Sequence, residues 1–128
     1  MPGEFEDLQV YQKAREFRRR AWTLTRKLPE IERFVLIFQI RRAALSVTNN
    51  IAEGHGSWGY KHNISYLRRS RGSVNELLDD INACQDEEYF KKEHLDDLRK
   101  DAKVVVKLIN GYIRYLKSKA KTTDKESD

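Results

Sequence analysis

The stretch from Arg41 to Tyr60, RRAALSVTNNIAEGHGSWGY, gathers residue types that could do chemistry around a Gly-x-Gly. Within it, Glu53 and His55 are near enough in sequence to form a general acid–base pair. The pair falls at the end of a predicted helix, and no nucleophile or pocket is evident beside it. We therefore expect no catalysis and predict a non-enzymatic protein.

Patterns for cofactors and metals are also missing from the sequence. The Gly-x-Gly follows a predicted helix, not a strand, and it lacks the Gly-Lys-Ser/Thr ending of a P-loop. The histidines His55, His62 and His94 do not share one helical face with carboxylates at metal-ligand spacing. The lone Cys84 provides neither a disulfide framework nor a cysteine metal site. We expect no cofactor and no metal.

Composition indicates one globular domain. The chain has 128 residues, of which 35% are charged and 39% hydrophobic, and it contains only 2 prolines and 6 glycines. The first residues, MPGEFEDLQV, lack the apolar run of a signal peptide, and no segment approaches the roughly 20 apolar residues that cross a membrane. These features, with the single cysteine, predict a cytoplasmic protein without a membrane partner.

Apolar residues recur at steps of three and four in four segments, which predicts four amphipathic helices. The segments cover approximately residues 7–27, 33–53, 60–84 and 92–116. Short connections between them favour an antiparallel, up-down-up-down four-helix bundle, and the fold class is all-α. We predict a bundle domain over residues 1–120, followed by a polar, disordered tail over residues 121–128.

Two residues of these helices need a specific explanation. Gly54 follows the second apolar stripe, and we predict that it ends the helix in a left-handed conformation. Arg71 interrupts the apolar stripe of the third helix. An unpaired buried guanidinium is costly, so Arg71 should reach a polar partner or mark a subunit seam, with Asn50 and Glu76 as candidates.

Side chains outside the apolar stripes offer contact surfaces. In the second helix, Arg42, Ser46, Asn49 and Glu53 form one polar stripe, which is either a solvated face or a contact face for a partner. Many large apolar residues also lie off the core stripes, which favours burial against other subunits. We predict Leu45, Val104 and Leu108 as oligomer contacts; the wider off-stripe set adds Tyr11, Trp22, Tyr66, Leu77 and Tyr115.

Charge is unevenly distributed along the chain, whose net charge is +5. Residues 54–75 and 102–123 contain no acid, whereas residues 76–101 contain ten acids and four basic residues. In an antiparallel bundle the acid-free segments share one end, which predicts a basic end that attracts phosphate backbones. The alternatives are that the two ends attract each other between molecules or are simply solvated. The predicted nucleic-acid-binding residues are Lys61, Arg68, Arg69, Arg71, Lys107, Arg114 and Lys117, with Trp58, Tyr60 and Tyr66 near enough to stack on bases.

Three segments resemble a known family, the bacterial four-helix bundle proteins first noticed as reading frames within intervening sequences of 23S ribosomal RNA genes. The segments are FEDLQVYQKA, QIRRAALSVTNNIAEGHG and YLRRSRGSVNELLDDI, and the resemblance extends from Phe5 to about Lys117. Thr48 and Asn49 stand where the family often has proline and serine, which predicts a straighter second helix. The chain matches the family motifs at Arg41, Arg42, Ala43, Ser46, Asn50, Ile51, Ala52, Glu53, Gly54, Arg71, Gly72, Ser73 and Glu76.

This resemblance implies that the protomers assemble into a homopentameric, barrel-like ring. It also implies kinship with the accessory variability determinant proteins of diversity-generating retroelements, which are basic pentamers that bind nucleic acid and a reverse transcriptase. We therefore predict an oligomeric protein that binds RNA or DNA, with a reverse transcriptase as a further candidate partner. The competing interpretation is a protein-interaction scaffold whose basic charge is incidental.

Overall fold

The chain folds into four long helices that pack side by side. A computed structural model describes residues 3–127 and the side chains of residues 3–121. The helices are α1 (Gln9–Thr25), α2 (Phe38–His55), α3 (Tyr60–Asp86) and α4 (Lys92–Ser127). Each packs against the next in sequence, and α4 packs back against α1, so α2 and α4 lie diagonally across the bundle. The described residues contain no strand, and the prediction of an all-α four-helix bundle is confirmed.

The core forms where the apolar stripes of the four helices meet. Phe17, Ile40, Leu67 and Leu95 are completely buried, one from each helix. Such positions recur every three or four residues, because that spacing keeps side chains on one face of a helix. Two residues of the predicted off-stripe set belong to this core: Leu77 is completely buried and Tyr11 is 8% exposed. The prediction that these two residues lie off the core and are buried against other subunits was wrong, because they are buried within the protomer.

Helix boundaries differ from the prediction at both ends of the second helix and at the end of the fourth. A 3-10 turn over Glu30–Glu32 and a π-helical turn over Arg33–Ile37 precede α2, which then continues to His55. Helix α4 extends to Ser127, beyond the expected end near Leu116. The side chains of residues 122–128 lie outside the described part of the chain, so the disordered tail stays a prediction.

Gly54 lies inside α2, and its predicted left-handed conformation was wrong. Within residues 3–127, the glycine with a positive φ is Gly59, at 85°, immediately before α3. Gly54 is instead buried against α3. A Cβ atom there would lie 2.8 Å from Oδ1 of Asn63 and 2.9 Å from Cβ of Tyr66. The glycine is needed because the backbone of α2 approaches α3 too closely for any side chain.

Contacts between the connections show the antiparallel arrangement. At one end, the hydroxyl of Tyr89 donates a hydrogen bond of 2.5 Å to Oε2 of Glu32. This bond raises the pKa of Tyr89 to about 12. At the other end, Nε2 of His55 lies 2.8 Å from the carbonyl oxygen of Gly3. In the described part of the chain, no helix combines the length and apolar character of a membrane span.

Candidate nucleic-acid interface

Arg71 joins α3 to α4 at the centre of the predicted basic surface. Its Nη1 donates a hydrogen bond of 2.6 Å to Oδ1 of Asn110, and its side chain is half-buried. The prediction of a polar partner is confirmed, although the partner is neither Asn50 nor Glu76. A hydrogen bond to a neutral amide fixes the guanidinium without neutralising its charge. Arg71 therefore stabilises the seam and keeps it positive.

A groove of about 340 Å³ lies between α3 and α4, on the side of the Arg71–Asn110 hydrogen bond that faces the basic end. Lys61 and Arg68 line it from α3, and Lys117 and Lys121 line it from α4. Ile64 and Ala120 supply apolar surface between the charges. Lys121 was not predicted, although its position four residues after Lys117 places it on the same helical face. We name the α3–α4 basic face by its residues: Lys61, Arg68, Arg71, Lys117 and Lys121.

The remaining predicted residues lie on other surfaces. Lys107 and Arg114 line a neighbouring groove between α4 and the beginning of α1. Arg69 turns away from both grooves, and its guanidinium lies 4.9 Å from the ring centroid of Tyr66. In the loop before α3, the side chain of Trp58 is 90% exposed, as stacking on an unpaired base requires.

Unopposed positive charge characterises the basic end. Among the described residues, no salt bridge involves any member of the α3–α4 basic face, or Lys107 or Arg114. The acidic segment, by contrast, is partly neutralised. Asp101 accepts a bond of 2.6 Å from Arg20, and the hydrogen bond from Lys92 lowers the pKa of Asp96. The basic charge is therefore available to an external anion.

The motif residues of α2 and α3 form a polar ladder across the seam between these two helices. Arg42 forms a salt bridge with Glu76. One turn further along, Oγ of Ser46 lies 2.7 Å from Oγ of Ser73. Asn50 then donates from Nδ2 to the carbonyl oxygen of Ser46 at 2.8 Å. The side chains of Asn49 and Glu53 are exposed. Two members of the predicted polar stripe therefore face solvent, and the other two pair with α3.

Two further motif residues have different environments. Arg41 faces α1, where its Nε donates a bond of 2.9 Å to Oγ1 of Thr25 and its guanidinium lies 4.9 Å from the Trp22 ring centroid. Gly72 is exposed, and a Cβ atom there would meet nothing within 4 Å. Most of the motif residues therefore connect α2 to its neighbours and do not converge on a pocket.

Two groups in the last part of α3, Cys84 and Asp80, have raised pKa values. Burial raises the pKa of Cys84 to about 11, which keeps the thiol protonated at neutral pH. Burial also raises the pKa of Asp80, whose Oδ2 is buried and has no hydrogen-bond partner in the described part of the chain. No group of three histidine, cysteine or acidic side chains within residues 3–121 is placed to hold a metal.

An exposed apolar patch was missed by the sequence analysis. Ile31, Phe34, Val35 and Phe38 are 83%, 80%, 58% and 54% exposed. Phe34 and Val35 lie in the π-helical turn, whose period differs from that of an α-helix, whereas Ile31 lies in the preceding 3-10 turn and Phe38 is the first residue of α2. The run FVLIF, residues 34–38, was itself a signal, because five adjacent apolar residues cannot all share one helical stripe. We call these four residues the apolar patch.

Sequence comparison establishes the family. The sequence profile of the 23S rRNA-intervening sequence protein family matches residues 6–111, which include the polar ladder. The chain belongs to this family. Within the profile lie Lys61, Arg68 and Arg71 of the α3–α4 basic face, whereas Lys117 and Lys121 follow its end.

A solved structure supports the assignment of this chain to the 23S rRNA-intervening sequence protein family. The chain is similar to a protein of unknown function from the S23 ribosomal protein family of Bacteroides thetaiotaomicron VPI-5482. The two share 27% identity and a TM-score of 0.75 over 81% of this chain and 97% of the other. Among curated proteins, none matches this chain significantly.

Proposed function

We propose that this family member is a non-enzymatic, cytoplasmic protein that binds nucleic acid through the α3–α4 basic face. The observation that supports this proposal most directly is the groove lined by Lys61, Arg68, Lys117 and Lys121, none of which has a carboxylate partner within the described residues. Basic side chains in such a row contact successive phosphates and release condensed counterions. The family is named for intervening sequences of 23S rRNA, and this genomic setting favours RNA over DNA as the ligand.

Binding should depend steeply on salt and little on sequence. We expect affinity for an unstructured RNA to fall at least tenfold between about 50 and 200 mM salt, because every phosphate contact releases about one counterion. Fluorescence anisotropy with RNA and DNA of equal length, single-stranded and structured, measures this dependence. A folded protein that binds none of them at 50 mM salt would exclude nucleic-acid binding.

Assembly into a homo-oligomer, as a pentameric ring, is part of the same proposal. Val104 is 44% exposed on α4, and beside it Leu108 lines the groove towards α1. The apolar patch lies on a different surface, at the beginning of α2. A contact between two different surfaces of neighbouring subunits is heterologous. It closes into a ring when the rotation from one subunit to the next divides a full turn evenly. A ring would repeat the basic face in each subunit and strengthen binding through multivalency.

The assembly has a direct test in solution. We expect light scattering coupled to size exclusion to give a mass several times the 15.2 kDa of the protomer. Val104→Asp should lower this mass because it places a charge in the contact, whereas Asn75→Asp, at an exposed position of α3, should not. A wild-type protein that remains a monomer at micromolar concentration contradicts the ring.

The apolar patch also supports a second candidate function, a protein-interaction scaffold. Its four side chains are exposed enough to bind another protein. Among its charged neighbours, Glu30 is paired with Arg33, whose guanidinium lies 5.3 Å from the ring centroid of Phe34. A reverse transcriptase, the partner that the resemblance to the retroelement accessory proteins implies, is a candidate for this surface. If Phe34→Ser removes binding to such a protein and leaves the oligomer mass unchanged, the patch serves a partner and not assembly.

A further inference from the structure

A second basic groove lies across the bundle from the α3–α4 basic face, between α1 and α2. Its volume is about 440 Å³, which suits a ligand of the size of one nucleotide. We call it the α1–α2 groove; its lining consists of Arg18, Arg19, Trp22, Thr23 and Arg26 from α1 and Leu45 from α2. It combines guanidinium groups with one aromatic and one aliphatic side chain.

The positive charge of the α1–α2 groove is not neutralised from within the protomer. Residues 17–29 and residues 33–52 contain no acid. Arg20 of α1 and Arg42 of α2 do not line the groove, and they are paired with carboxylates of α4 and α3. In the described part of the chain no salt bridge involves Arg18, Arg19, Arg26 or Arg41.

Two of these arginines are held in place by neutral groups. Arg18 donates from Nη1 to Oγ1 of Thr48 at 2.8 Å, and Arg41 is bonded to Oγ1 of Thr25 and stacked on Trp22. Each guanidinium has five N–H donors, so further donors remain after these bonds. Fixed guanidinium groups bind phosphate well because little side-chain entropy is lost on binding.

We propose that the α1–α2 groove binds one nucleotide of a single-stranded nucleic acid. Arg18, Arg19 and Arg26 contact the phosphates, and the base packs against Leu45 and the part of the Trp22 side chain that lines the groove and is not covered by Arg41. A duplex holds its bases inside the stack and offers none to Trp22. The inference rests on the proposed nucleic-acid binding and adds a contact that selects single strands. Leu45, predicted to contact another subunit, contacts the base instead.

Tryptophan fluorescence tests the groove directly. The chain has 2 tryptophans, and Trp58 is 90% exposed, so Trp58→Phe leaves Trp22 as the single reporter without disturbing the core. We expect a 12-nucleotide oligouridylate at about 50 mM salt to quench Trp22, with the same midpoint as its binding by anisotropy. A duplex of equal charge should bind without quenching.

Variants of each surface separate this inference from the proposed function. In the Trp58→Phe background, Arg19→Glu/Arg26→Glu should abolish the quenching, whereas Arg68→Glu/Lys117→Glu should weaken binding and retain the quenching at saturation. If the oligonucleotide binds without quenching Trp22, or if Arg19→Glu/Arg26→Glu changes only the oligomer mass, the inference fails and the proposed function stands. If the oligonucleotide does not bind, both fail.

Discussion

Replacing Arg68 and Lys117 by glutamate is expected to weaken nucleic-acid binding about 100-fold at 50 mM salt, since two phosphate contacts and their released counterions are lost. The two side chains line the same groove from α3 and α4, so the substitution reverses the charge of both walls. Both are exposed, and neither has a hydrogen bond or salt bridge to lose among the described residues. Anisotropy titrations of wild type and variant over a range of salt measure the effect, and the variant should show a shallower salt dependence.

A matched control removes the same charge from the opposite end of the bundle. Lys91→Glu/Lys100→Glu changes the net charge equally, at two exposed positions in the acidic segment. If binding depends on the α3–α4 basic face, this control should bind close to wild type. Equal losses in both variants would mean that only net charge matters, and the location of the site would be wrong.

Gly54→Ala is expected to destabilise the protomer by about 2 kcal/mol, because overpacking a tight contact costs about 1–3 kcal/mol. The added methyl group would lie 2.8 Å from Oδ1 of Asn63 and 2.9 Å from Cβ of Tyr66. Either α2 must move away from α3 or the Asn63 and Tyr66 side chains must shift. For a chain of this length the melting temperature should fall by about 8 °C, measured by circular dichroism.

Gly72 provides the control for this substitution. It is also a helical glycine of the family motif, but a Cβ atom there meets nothing within 4 Å. Gly72→Ala should therefore stabilise the helix by about 0.5–1 kcal/mol, since alanine loses less backbone entropy on folding. A Gly54→Ala variant as stable as wild type would contradict the close approach of α2 to α3 at this position.

The sequence was sufficient for the bundle itself because helical periodicity is a local property. Apolar residues at steps of three and four identified the stripes that contain Phe17, Ile40, Leu67 and Leu95, all of them buried. The basic end could also be predicted, because antiparallel helices place the acid-free parts of α3 and α4 side by side whatever the details of packing. The family followed from motifs that are contiguous in the chain.

Several features were decided only by the tertiary structure. The sequence suggested that Gly54 ends a helix. The structure shows that glycine is required there because α2 and α3 lie very close together, and no local sequence pattern contains that distance. The π-helical turn over Arg33–Ile37 changes the helical period where Phe34 and Val35 of the apolar patch are exposed, and a fixed period of 3.6 residues does not predict this change.

The partners of individual side chains could also be predicted only in part from the sequence. A sequence indicates that Arg71 needs a partner, because burying a lone guanidinium is costly, but the partner Asn110 lies on another helix. Likewise, the sequence contains the arginines of α1, yet only packing places Trp22 and Leu45 beside them in a groove. The helical period and the charge pattern can be read along the chain. The distances between helices and the partners of their side chains depend on the register between helices, which the packing of the whole bundle determines.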